Sequence, residues 1–178
     1  QLSRKNKTNQ DAIATQGGLK PLVMHLSIGN DPDVQAYAAF ALMEVCASNR
    51  ANQRSVVDGG GITQLAALMK APATTADVKA EAAGALWALS EAPVVKVDMA
   101  EAHVIKPLVQ LLGSGGQRAH SHSANALSSL AFDNGTNQVQ ITQMLIELLS
   151  TGVMEAQVRA VQALWRQVHE NPTAHERI

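Results

Sequence analysis

The sequence predicts an all-α chain, a solenoid of about four stacked three-helix units, and three observations carry that prediction. First, Gly17-Gly18-Leu19-Lys20-Pro21-Leu22-Val23 returns as Gly60-Gly61-Ile62-Thr63-Gln64-Leu65-Ala66 and again as Ala102-His103-Val104-Ile105-Lys106-Pro107-Leu108-Val109. Aligned on Leu19, Ile62 and Ile105, the steps are 43 and 43. Second, an alanine-rich stretch downstream of each ends in an Ala-Leu pair at Ala41-Leu42, Ala85-Leu86, Ala126-Leu127 and Ala163-Leu164, with the leucines 44, 41 and 37 apart. Third, the apolar spacing is helical throughout, and no period-two stretch rich in β-branched residues interrupts it. One such unit is too small to bury its own apolar face, so neighbours must stack on it.

Taken in order, the units fall at 9–49, 50–91, 92–133 and 134–170 of a single domain spanning 1–178, with 171–178 expected to begin a truncated fifth. In the first, a short helix over Gln10–Gln16 is closed by the glycine pair, which suits the left-handed conformation common at helix C-termini. A second helix over Leu19–Ser27 follows. The third starts after Asp31, an N-cap residue, with Pro32 in the first turn, and ends near Ser48. The next unit repeats the scheme over Gln53–Asp58 and Ile62–Lys70, with Thr74 and Asp77 marking the third-helix start and Ser90 its end. In the following unit the short helix covers Val95–Glu101 and the turn falls to Ala102-His103, histidine being among the less disfavoured non-glycine choices for positive φ. Its second helix spans Val104–Leu112 and its third ends near Phe132. In the last, Asn137-Gln138 runs almost directly into a helix over Gln140–Leu149, so most of the first helix is expected to be lost. The closing helix ends near His169.

This pattern, an asparagine ahead of Gly-Gly-Ile-x-x-Leu-x-x-Leu and then Ala-Ala-x-Ala-Leu-x-x-Leu, resembles the armadillo repeat over nearly the whole chain. The resemblance implies a right-handed superhelix whose third helices line a concave groove for extended peptides. In armadillo nuclear import adaptors an asparagine ladder along the third helices grips the peptide backbone, with a tryptophan four residues earlier. Here the asparagine places hold Glu44, Ala88, Ser129 and Arg166, and the tryptophan places Phe40, Gly84, Asn125 and Gln162. Both ladders are gone, which argues against a receptor for nuclear localisation signals, because the amides that hold a backbone regardless of its sequence are missing.

The groove face reads in four rows: Tyr37, Phe40, Met43, Glu44 and Ala47; Glu81, Gly84, Trp87, Ala88 and Glu91; His122, Asn125, Ser128, Ser129 and Phe132; Arg159, Gln162, Trp165, Arg166 and His169. All five aromatics fall on it, while Ala38, Leu42, Val45, Leu86, Leu89, Leu127 and Leu130 make an aliphatic core. Large flat side chains concentrate interface energy, so the expected peptide-groove residues are Tyr37, Phe40, Glu44, Glu81, Trp87, Glu91, Asn125, Ser129, Phe132, Arg159, Trp165 and Arg166. The bland reading is that the rings only pack between adjacent helices. Acids early and Arg159, Arg166 and His169 late suggest a partner basic at one end and acidic at the other.

Composition excludes several other functions. The 178 residues carry 14 basic against 15 acidic side chains, which supplies no field for nucleic acid. No apolar run approaches the roughly 20 residues of a membrane span, and Arg4, Lys5 and Lys7 lead into polar residues rather than a signal-peptide core. Cys46 is the one cysteine, which fits a reducing compartment and a cytoplasmic location, the nucleus not excluded. It reads as a small core residue rather than a nucleophile. His120 and His122, two apart on a helix, diverge too far to share a metal, and the glycine runs lack the lysine and strand of a phosphate loop. No catalytic residue, cofactor or metal is therefore expected. The reading that follows is a non-enzymatic protein-interaction module of a larger scaffold or adaptor, Gln1 suggesting a piece of a longer chain. The alternatives are the substrate-recruiting repeats of a larger enzyme such as a ubiquitin ligase, and a structural spacer. Unsealed end faces further suggest end-to-end self-association.

Overall fold

A computed structural model describes residues 7–170, and among them eleven α-helices and no strand occur. The short first helices are α1 (Lys7–Thr15), α4 (Arg50–Asp58) and α7 (Val95–Glu101). The second helices are α2 (Leu19–His25), α5 (Gly61–Lys70) and α8 (Ile105–Ser114), and the third are α3 (Pro32–Cys46), α6 (Ala76–Ser90) and α9 (Gln117–Ala131). Two long helices, α10 (Gly135–Thr151) and α11 (Met154–Glu170), close the series. The expected fifth-unit start at 171–178 and the tail at 1–6 lie outside the described residues.

The turns follow from local chemistry. Gly17, Gly60 and His103 adopt φ of 77°, 82° and 57°, the left-handed conformation in which a Cβ is strained for most residues. Asp31 accepts hydrogen bonds from the backbone N–H groups of Asp33 and Val34 with Pro32 next to it, as the sequence predicts. Two expectations need correction. The cap of α6 is Thr75 rather than Thr74; its hydroxyl accepts from the Val78 N–H, which places Asp77 in the first turn. The fourth first helix is not lost but fused: α10 is continuous over 17 residues, because Asn134 caps it at the position where Asn49 caps α4, and no glycine pair follows to break it.

Packing makes the right-handed α-solenoid. The helix α6 lies between α3 and α9, and α2, α5 and α8 each back their own third helix. Leu26, Leu42, Leu65, Leu86, Leu89, Leu127 and Leu130 are fully buried in one continuous core. A buried amide system closes the third helices at their C-terminal ends, where carbonyls lack helical partners. Gln10 Nε2 donates to the carbonyls of Glu44 and Ala47 at 2.8 and 3.1 Å, and Gln53 Nε2 to those of Cys46 and Ala88, both at 2.9 Å. Lys96 Nζ donates to the Phe132 carbonyl. These three residues stand 43 apart.

His120 is buried in α9 with its Nε2 unpartnered among the described residues, and burial, helped by nearby Arg159, lowers its pKa below the ordinary 6.5. The folded chain thus holds this proton less tightly than the unfolded chain. Stability contributed here is complete above pH 6.5 and falls as pH drops towards the lowered folded value, by up to about 1.4 kcal/mol per pH unit. A His120→Leu chain should lose that decline when urea unfolding is followed between pH 7 and pH 5; an unchanged pH slope would refute this assignment.

Candidate binding groove

The helices α3 and α6 start with an acidic first turn and α9 with Arg118, and the three leave an open trough of about 620 Å³ between them. From α3 come Tyr37 and Phe40, 74% and 45% exposed. Its floor is set by Gly84 of α6: a Cβ there would stand 2.6 Å from Met43 Sδ and 2.8 Å from His122 Nδ1, so neither a tryptophan nor an alanine fits without displacing them. His122 Nδ1 donates to the Ala80 carbonyl at 2.9 Å, which fixes its ring against α6.

The charge in the trough is arranged around Glu81, only 5% exposed. Its Oε1 accepts from Arg118 Nη1 at 2.5 Å, while its buried Oε2 has no partner among the described residues. The carboxylate raises the pKa of the largely exposed Arg118 above its ordinary value. Asp33 and Asp77 line the same trough. Both occupy the second position of a third helix, one period apart, a regularity by which the sequence could have revealed them.

The remaining expected groove residues are placed differently. Glu44 is half-buried, its carbonyl held by Gln10. Trp87 is partly buried on the flank facing α9, its ring 6.4 Å from that of His122. Glu91 is tied to a corner: its Oε2 accepts from the Ser48 N–H at 2.8 Å and from Gln53 Nε2 at 3.3 Å. Asn125 Oδ1 accepts from Arg166 Nη1 at 3.2 Å, joining α9 to α11, and Ser129 is half-buried nearby on α9. Phe132 lies beneath Lys96 Nζ at 5.2 Å from its centroid. Arg159 bonds to Glu155 and to the Leu112 and Gly115 carbonyls, and Trp165 stacks on His169 at 4.3 Å. The trough thus gathers Tyr37, Phe40 and Glu81 with Asp33, Asp77, Arg118 and His122, and the other expected groove residues lie outside its lining. The supposed acid-to-base polarity weakens because Glu91, Arg159 and Arg166 already serve internal partners.

The Cys46 thiol is fully buried and burial pushes its pKa up to about 12, far from a thiolate nucleophile. Among the described residues no group of three His, Cys, Asp or Glu is placed to hold a metal, and no helix is long and apolar enough to cross a membrane.

No family model matches the chain. It is 28% identical over 122 residues to Vacuolar protein 8 of Saccharomyces cerevisiae and 29% identical over 123 residues to Vacuolar protein 8 of Candida albicans. These alignments cover 68% of this chain and 21% and 20% of those proteins. The chain therefore matches only about a fifth of the length of these curated relatives. Among solved structures, an engineered protein is 27% identical with a TM-score of 0.77, over 94% of this chain and 69% of that one. A designed armadillo repeat protein in complex with the peptide (KR)4 is 21% identical with a TM-score of 0.76, over 93% and 71%. A computationally designed armadillo repeat protein for modular peptide recognition gives the same identity, TM-score and coverage. At that identity the likeness to the designed proteins is one of fold.

Proposed function

Because this chain is an armadillo-repeat solenoid, we propose that it is a non-enzymatic protein-interaction module of a larger scaffold or adaptor, holding an extended segment of a partner along α3, α6 and α9. The observation that carries this reading is the trough itself. Tyr37 and Phe40 stand exposed beside a buried carboxylate with a free oxygen, and a designed armadillo repeat protein of like fold is in complex with the basic peptide (KR)4. A lysine or arginine side chain laid over these rings would share the trough with Asp33 and Asp77, combining cation–π attraction with opposite charge. Exposed charges set orientation and on-rate more than affinity, whereas aromatic anchors carry the energy. A preformed rigid trough also lowers the ordering cost of capture.

The test is fluorescence anisotropy with a library of extended peptides of graded charge, run on the 178-residue chain. Basic peptides should bind best and weaken with salt. Phe40→Ala or Tyr37→Ala should raise Kd at least about 30-fold, the scale of a 2 kcal/mol anchor, without loss of helical signal. Peptides that bind both variants as well as the unaltered chain would defeat the proposal and leave a spacer as the better description.

A further inference from the structure

We propose that Arg118 is a built-in competitor for an arginine of the partner: its guanidinium holds the place at Glu81 that an arginine of the bound segment takes over, so the trough binds by exchanging one guanidinium for another. The proposal rests on the peptide-binding reading above and adds the side chain that the trough selects. Nine residues before the leucine of each Ala-Leu pair stand Asp33, Asp77, Arg118 and Glu155, every one in the first turn of its helix. The positive end of the helix dipole favours acids there and disfavours a cation. Arg118 alone has the wrong sign for its own helix, and α9 has no side-chain cap at Gly116 to make up for it. What holds an arginine at this place lies outside α9.

The partner is Glu81 of α6. Arg118 Nη1 donates to its Oε1 at 2.5 Å, from a side chain that is 67% exposed to one that is 6% exposed. Burying a carboxylate without a cation is costly, so Glu81 calls for a positive group in the trough whether or not a partner is bound. Most of the Arg118 side chain lies in water, so it can swing aside without losing buried packing, and another guanidinium can take over its role.

Arg118 satisfies only half of this carboxylate. Glu81 Oε2 is buried and has no partner among the described residues, so an incoming guanidinium that engages both oxygens satisfies an acceptor that Arg118 leaves open. The planar fork of arginine can bind a carboxylate through two parallel hydrogen bonds, whereas the ammonium of lysine acts as a point charge. Tyr37 and Phe40 line the same trough, and their flat faces suit a stacked guanidinium better than an ammonium. Asp33 and Asp77 attract either cation and do not discriminate. The exchange at Glu81 therefore selects arginine over lysine in the bound segment.

Fluorescence anisotropy on the 178-residue chain is the test, with two extended peptides that differ only in carrying arginine or lysine. The unaltered chain should prefer the arginine peptide. Arg118→Lys keeps the net charge and a cation for Glu81, so the fold is retained and plain electrostatics gives no change. A weaker competitor leaves the site open in a larger fraction of chains, and the arginine peptide should bind at least about threefold tighter. In a Glu81→Gln background both the arginine preference and this gain should vanish. Equal binding of the two peptides, an Arg118→Lys variant that binds the arginine peptide no tighter than the unaltered chain, or a gain that persists without Glu81 would each overturn the exchange while leaving the binding module in place. If neither peptide binds the unaltered chain or any variant, the module and the exchange fall together.

Discussion

Replacing Gln53 with leucine should lower the stability of the chain by about 1–3 kcal/mol in urea unfolding. Gln53 is almost wholly buried, and its side-chain amide donates to the last-turn carbonyls of two successive third helices, Cys46 of α3 and Ala88 of α6. A leucine of similar volume fills the space but leaves the Ala88 carbonyl without its donor and the Cys46 carbonyl with only the Asn49 N–H, and a buried unsatisfied group costs about 1–3 kcal/mol. Some of this is returned because Gln53 Oε1 is itself unpartnered and disappears with the substitution. The neighbouring change Arg54→Leu is the control, since it removes only an exposed ion pair with Asp58 within one helix and should cost about 0.5 kcal/mol or less. If the two variants unfold at the same urea concentration, the buried amides do not hold successive units together.

Why the period could be read from the sequence while this amide system could not is a matter of what each signal looks like. Leu19, Ile62 and Ile105, with the Ala-Leu pairs, mark buried positions by apolar character alone, so the stacking of units is visible in them. Gln10, Gln53 and Lys96 recur at the same period, but a polar residue on a short helix reads as solvated until a helix end is known to abut it. The resemblance pointed to asparagines in the groove, and these are absent. The amides that matter sit on the first helices instead, where Asn52 and Asn137 also reach the Val45 and Leu130 carbonyls. In the trough, Tyr37 and Phe40 share one face of α3 by helical spacing, and Glu81 stands one repeat after Tyr37 on α6. Trp87 and Trp165, read onto the hollow by the same alignment, stand partly buried towards α9 and stacked on His169 respectively. Arg118 was missed because its partner Glu81 lies 37 residues earlier on another helix, a distance no local pattern spans.

Leu86→Ala should produce the other large effect, a loss of about 2–5 kcal/mol together with a less cooperative transition. Leu86 is fully buried near the middle of α6, and truncation removes its transfer free energy and leaves a cavity that the flanking helices fill only in part. In a solenoid, stability is close to a sum of unit terms and nearest-neighbour interface terms. Since α6 packs on both α3 and α9, a cavity there weakens two couplings at once, and the N-terminal and C-terminal units can then unfold separately. Leu145→Ala makes the comparison, because Leu145 is equally buried but lies in α10, towards the last described helix. Hydrogen exchange should show protection falling across α4 to α9 in Leu86→Ala and mainly in α10 and α11 in Leu145→Ala. Uniform loss of protection along the chain in both variants would mean that the solenoid unfolds as a single block, with interface terms too strong for one cavity to divide.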